Sequence, residues 1–351
     1  MGNQAYNIAY YLKARGYNIN VYTSSRNEYN DIEFDKEHAD LNIHRYTSNT
    51  PLKNIFRTIS YIIKNRNKNE VVFLSGTSPI LLTLLIKLFC NWKIIAIIHG
   101  HEILMISSRM KNLFARALRS ADNIVTVSDF AKNTILENIN LNEKKITTIS
   151  NGIPFNRFGN NITALKKEKK NGSLKLLTIG SLTPRKGQHN VVAALPVIQK
   201  EWPGSEYHMI GVPQEQENIN RITKELGIQN RVHIHGMLND DELYKVAQDA
   251  DIFIMLSETA ADGDVEGFGI AIIEANLLGI PAIGSKGCGI ERAISDKYNG
   301  ILVNPKDPYE VSNAVNEIVS NYSAYSANAI EWAKRHDWNI LIEDYINVIM
   351  S

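Results

Sequence analysis

The chain has only two cysteines in 351 residues, Cys90 and Cys288, far apart and in no metal-ligand spacing. A disulfide framework and a cysteine-based zinc site are therefore excluded, and a reduced, cytoplasmic setting is expected. Long apolar runs are also missing. The longest, Pro79 to Cys90, is broken by Thr83 and Lys87 and is too short to span a bilayer. No secretory signal pattern opens the sequence and no segment is of low complexity. At 44% hydrophobic and 21% charged residues, the composition is that of a folded globular protein. Its length suggests two domains.

Net charge is +1, but it is unevenly spread. Residues 1–165 hold 20 Lys and Arg against 12 Asp and Glu, whereas the remainder holds 18 against 25. A basic first half and an acidic second half suggest that the two meet different partners. Short apolar runs alternate with helical patterns throughout, as in βαβ units with parallel sheets. Strands are expected at 19–23, 71–75, 94–99 and 123–128 in the first half, with helices at 5–15, 55–64, 80–89 and 111–120. The Asn-, Lys- and Gly-rich stretch 151–172 reads as a linker. Strands at 175–180, 206–210, 232–236, 252–256 and 281–284 follow, with helices between them and near 308–319 and 338–350. Two doubly wound α/β units in tandem leave a cleft at the carboxyl ends of their strands, where such sheets bind ligands.

The most informative stretch is Glu266-Gly267-Phe268-Gly269-Ile270-Ala271-Ile272-Ile273-Glu274. The apolar run from Ile270 reads as a buried helix with Gly279 and Pro281 as its stop. Gly267 and Gly269 fall at its entrance, where free N–H groups and the positive dipole end suit a phosphate. Eight helical residues span roughly 12 Å, about the reach from a sugar across a diphosphate to a ribose. In isolation, a Glu near a helix start and a Gly-Phe-Gly turn are also ordinary helix-entry chemistry.

Further signals fall at strand ends. After 175–180 comes Ser181-Leu182-Thr183-Pro184-Arg185-Lys186-Gly187, whose adjacent cations can clamp a diphosphate, although a solvated charge pair is the plainer reading of that loop alone. His99-Gly100-His101-Glu102 places imidazoles at the end of a buried strand, in a spacing that fits no common zinc pattern. Gly284-Ser285-Lys286-Gly287-Cys288-Gly289-Ile290-Glu291 is a second loop that must approach something closely.

Taken in order, these segments, with Val127-Ser128, Ser150-Asn151-Gly152-Ile153, Ala250-Asp251-Ile252-Phe253 and Asn299-Gly300-Ile301-Leu302-Val303, closely resemble the family 4 retaining glycosyltransferases over nearly the whole chain. The resemblance implies a GT-B fold, two Rossmann-like doubly wound domains facing across a cleft. Residues 1–165 would bind acceptor and 166–335 the nucleotide-sugar donor, with 336–351 a helix packing back toward the first domain. It further implies that Glu274 holds the ribose and Glu266 touches the donor sugar. The backbone of Gly267, Phe268, Gly269 and Ile270, together with Gly180, Arg185 and Lys186, would hold the diphosphate. His99 would reach across to the sugar, and Gly2, His99 and His101 would lie toward the acceptor.

No metal or other cofactor is implied, and Asp262 and Asp264 are read as a loop. The partners implied are a nucleotide diphosphate sugar and a glycan or lipid-linked acceptor, with no nucleic acid. Bacterial surface polysaccharide assembly is the expected setting. Basic clusters at Lys53, Arg57, Lys64, Arg66 and Lys68, and at Arg109, Lys111, Arg116 and Arg119, suit either an anionic membrane surface or ordinary solvent.

The sequence departs from the family in three places. Met1-Gly2-Asn3 leads straight into a helical pattern, so the first strand is expected to be missing, leaving a gap beside its neighbours and a start that reads as truncated or misassigned. Ser181 stands where an Arg is usual, and Pro154 where an Asp is common. Two alternatives follow: a nucleotide-sugar epimerase of related fold, which needs no acceptor, and a non-catalytic nucleotide-sugar-binding protein, which turns nothing over.

Overall fold

A computed structural model describes residues 3–24, 28–46, 59–68, 70–155 and 172–351. Gly2, Lys53 and Arg57 lie outside the described residues, as does most of the expected linker. In the first half, β3 (Val71–Ser75), β4 (Lys93–Ile98), β5 (Asn123–Thr126) and β6 (Ile146–Thr148) form a parallel sheet in sequence order. A separate parallel pair is made by β1 (Val21–Ser24) and β2 (Ile43–Tyr46). Among the described residues no strand hydrogen-bonds β1 to β3, the position at which a gap was expected.

The second half holds a six-stranded parallel sheet ordered β12-β11-β10-β7-β8-β9. Its strands are β7 (Lys175–Ile179), β8 (Glu206–Ile210), β9 (Val232–Ile234), β10 (Ile252–Met255), β11 (Ala282–Ser285) and β12 (Gly300–Val303). The central strands read as unbroken apolar runs because helices cover both faces of the sheet; all four residues of β10 are buried. Strand order reverses between β7 and β10, which makes their carboxyl ends the switch point where an open α/β sheet binds its ligand.

The C-terminal helix Trp338–Met350 packs on the first half. Trp338, Leu341, Ile342, Tyr345 and Val348 share one buried cluster with Ile8, Leu12, Ile95, Ile97 and Val125. Polar contacts reinforce the packing: Gln4 Nε2 donates to Tyr345 Oη at 3.0 Å, and Lys93 Nζ to the Ile349 carbonyl at 3.0 Å. The start of the expected linker is itself anchored, since Ile153 N–H donates to His336 O at 2.9 Å. Gly152 is required there, because a Cβ would lie 2.9 Å from that same carbonyl.

Candidate active site

The chain leaving β7 turns at Gly180 and passes through a short 3-10 turn, Pro184–Lys186, that ends on Gly187 at φ +67°. Gly187 lets this turn sit against the end of β10. A Cβ there would fall 1.7 Å from the Leu256 carbonyl oxygen. Glu258 N–H donates to the Arg185 carbonyl at 2.9 Å, which fixes the turn further. Arg185 and Lys186 are thereby held at the switch point, and the Lys186 side chain lies over Gly180.

Both cations reach one carboxylate. Lys186 Nζ and Arg185 Nη1 each lie 2.5 Å from Glu266 Oε2, and Arg185 Nε lies 2.8 Å from Asp264. Burial pushes the Glu266 pKa up, but Lys186 and Arg185 more than offset it and hold the group at about 2. Glu266 is thus ionised throughout the physiological range. Asp262 accepts the Asp264 N–H at 3.0 Å, so this acidic pair is occupied by the loop and by Arg185.

Past Glu266 the chain enters the helix Ile270–Leu277 through Gly269, at φ +88° and with no side-chain cap. The Ile272 N–H donates back to the Gly269 carbonyl at 2.9 Å, and the helix dipole adds positive potential at this end. Phe268 is buried beside His336, with ring centroids 5.9 Å apart. Glu274 is only 6% exposed, on a helix whose other residues from Ala271 to Leu277 are also buried. A carboxylate costs free energy in such a place unless it is paired.

From the first half, β4 delivers His99 to the opposite lip. A Cβ on Gly267 would lie 2.4 Å from the His99 carbonyl oxygen, so the two halves meet in backbone contact at this point. The His99 ring is 3.3 Å from Ser75 Oγ. Burial lowers its pKa, against an upward pull from Glu102, and so favours the neutral ring. Glu102, 2% exposed, accepts the N–H groups of His99 (3.0 Å) and Gly100 (2.9 Å) and sets the loop's shape. His101 is on the same lip, its ring stacked 6.0 Å from that of His99, and its side chain is 43% exposed.

The Gly284–Glu291 loop approaches protein backbone. Gly289 N–H donates to Glu266 O at 2.8 Å, and a Cβ on Gly289 would fall 2.0 Å from Gly267 O. This loop buttresses the Glu266 turn from behind. Neither that role, nor the placing of His99 by Glu102, nor the pairing of Asp264 with Arg185 was read from the sequence. The three glycines did signal a close approach without identifying the neighbour. Arg292, also unread, bridges the halves through Ser150 Oγ (2.9 Å) and Asp129 (3.3 Å).

Paired cations, a helix start and two carboxylates at the ends of that segment thus gather at the switch point of the second sheet. The family model of glycosyl transferases group 1 matches residues 161–336, and that of glycosyltransferase family 4 matches residues 1–157. The chain belongs to this family of glycosyltransferases. It is 26% identical over 273 residues to the GDP-mannose-dependent alpha-(1-6)-phosphatidylinositol monomannoside mannosyltransferase of Mycobacterium tuberculosis, covering 75% of this chain and 71% of that one. It is 24% identical to the colanic acid biosynthesis glycosyltransferase WcaL of Escherichia coli, a putative assignment, over 61% of this chain and 52% of WcaL. The fold is shared with Anabaena HepE in complex with UDP, at TM-score 0.80 and 17% identity over 99% of this chain and 96% of that one.

Proposed function

We propose that this protein moves a hexose-type residue from a nucleotide diphosphate sugar to a glycan or lipid-linked glycan, with retention of anomeric configuration, in polysaccharide assembly. The observation that carries the reading is the convergence of Arg185 and Lys186 on Glu266, at the uncapped start of the Ile270–Leu277 helix and opposite His99. Donor diphosphate entering this mouth takes over the two cations and the N–H groups of 267–270. The Glu266 carboxylate, released from them, turns to the sugar hydroxyls. Glu274 receives the ribose hydroxyls, and Gly180 allows the phosphates to come close to the backbone.

Retention follows from a front-face displacement. The acceptor oxygen attacks the anomeric carbon on the face from which the diphosphate departs. The glycosidic C–O bond breaks with its electron pair going to the diphosphate, and a phosphate oxygen of the leaving group takes the acceptor's proton. Such a step asks little of a side-chain base and much of fixed positive charge at the leaving group, which Arg185, Lys186 and the helix start supply without a metal. His99 orients the sugar, with His101 toward the acceptor.

The similar mannosyltransferase, named for GDP-mannose and a phosphatidylinositol glycolipid, supports a nucleotide-sugar donor and a lipid acceptor, and HepE is named as binding UDP and UDP-glucose. A peripheral position on the cytoplasmic side of a membrane fits the patch in which exposed Leu104, Met105, Met110 and Leu113 stand among exposed Arg109 and Arg116. No helix among the described residues is long and apolar enough to cross a membrane.

The reading is tested by offering UDP-, GDP- and ADP-hexoses with lipid-linked glycans in anionic vesicles. The expected result is release of nucleoside diphosphate that depends on acceptor, and a product with the donor's anomeric configuration by NMR. An inverted product overturns retention; conversion of the donor sugar without acceptor favours an epimerase.

A further inference from the structure

Away from the cleft, a second group of chemistry-bearing side chains gathers on the outer strands of the six-stranded sheet. Glu206 and His208 stand two apart on β8, hence on one face, and His233 on edge strand β9 is the register partner of His208. His208 Nε2 lies 3.6 Å, and His233 Nε2 3.7 Å, from the same oxygen, Glu206 Oε2. Those separations are too long for hydrogen bonds. Both ring nitrogens are buried and find no hydrogen-bond partner among the described residues. Buried polar atoms are seldom left unpaired, and here two of them converge with a carboxylate oxygen on one point.

The spacing is that of metal ligands. Tetrahedral zinc with bonds of about 2.0–2.1 Å sets adjacent ligand atoms roughly 3.3 Å apart. A contraction of a few tenths of an ångström would bring the observed 3.6 and 3.7 Å to that value. The surroundings also suit ligation. His208 Nδ1 is 3.0 Å from His235 Nε2, and donation of its N–H there leaves the Nε2 lone pair aimed at Glu206. Arg231 Nη1 binds the other carboxylate oxygen, Oε1, at 3.4 Å, which orients Glu206 and leaves Oε2 available. Lys175, on neighbouring β7, has its ammonium paired with Asp249 at 3.3 Å. The side chains of Glu206 and His233 are 30% and 38% exposed, so an ion can enter and water can complete its shell.

We propose that Glu206, His208 and His233 form a binding site for a divalent ion of the zinc class, clamping β8 to β9 far from the donor mouth. Two imidazoles and one carboxylate favour zinc over magnesium or calcium, which take oxygen ligands. Glu206 opens β8, at the end of the sheet opposite the carboxyl ends that line the cleft, so the site is structural.

The test uses tag-free full-length protein, stripped with chelator and titrated with zinc chloride by calorimetry. The expected result is one equivalent bound saturably and a zinc-dependent rise in Tm. Cobalt in place of zinc should give the intense visible bands of a four-coordinate site. His208→Ala and His233→Ala should each weaken binding at least tenfold, and Glu206→Gln, which retains size and hydrogen bonding, should weaken it with unchanged circular dichroism. Absence of saturable binding to the wild-type chain overturns the proposal. So does zinc binding of wild-type strength in the well-folded Glu206→Gln protein together with either histidine variant.

Discussion

Lys186→Ala lowers kcat by about two to three orders of magnitude, the usual effect of deleting one preorganised group that stabilises developing charge. Nucleotide affinity should fall much less. Lys186 Nζ is 2.5 Å from Glu266, at the mouth where the proposed donor diphosphate would lie. The negative charge on that diphosphate grows as the glycosidic bond breaks, so a fixed cation there acts more on the transition state than on the bound substrate. Arg185 remains in the variant, paired with both Glu266 and Asp264, and keeps Glu266 from being stranded without a partner. The expected kinetic signature is therefore a fall in kcat at nearly constant KM. A kcat within about twofold of wild type, in a protein of unchanged Tm, would remove Lys186 from the chemistry.

Gly187→Ala should be among the most destabilising single substitutions in the second half, by roughly 2–5 kcal/mol when the cost of a left-handed alanine and of overpacking are combined. The backbone is at φ +67°, and the new Cβ would fall 1.7 Å from the Leu256 carbonyl oxygen and 2.5 Å from its carbon. Those atoms belong to the chain just past β10 and have no rotamer with which to give way. Relief requires the 184–187 turn to lift, which carries Arg185 and Lys186 off Glu266. Thermal unfolding should show a lowered Tm accompanied by loss of transfer activity. An unchanged Tm would mean that the turn does not seat against β10 as described.

The sequence was most legible where burial is two-sided. Ile252–Met255 is apolar along its whole length and Lys93–Ile98 is so after its first residue, and β3, β8 and the helix Trp338–Met350 fall at the expected residues. The helix Tyr322–Lys334 was not read. Its buried residues, Tyr322, Tyr325, Ser326, Ala329, Ile330 and Ala333, include only one aliphatic side chain larger than Ala and give no clear stripe, yet it packs on the Ile270–Leu277 helix. Strands Ile43–Tyr46 and Ile146–Thr148 were missed as well, being short and carrying His, Arg or Thr.

At the site, Arg185, Lys186 and His99 could be picked out because each follows a strand end, and Glu266 and Glu274 because they bracket a glycine turn and an apolar helix. Pairing across 80 residues could not be read, so the structure alone shows Lys186 and Arg185 held on Glu266. The same holds for the histidine cluster, in which His208 and His233 become neighbours only through the register of β8 and β9.

The central claim is a nucleotide-sugar donor site running from Glu266 to Glu274, and calorimetric titration of UDP, GDP and ADP into wild type and Glu274→Ala tests it most directly. The account predicts that one of the three binds saturably and that Glu274→Ala weakens it about ten- to a hundredfold, the loss of one charge-assisted ribose contact. Failure of all three to bind well-folded wild-type protein, or equal affinity in the variant, would contradict it.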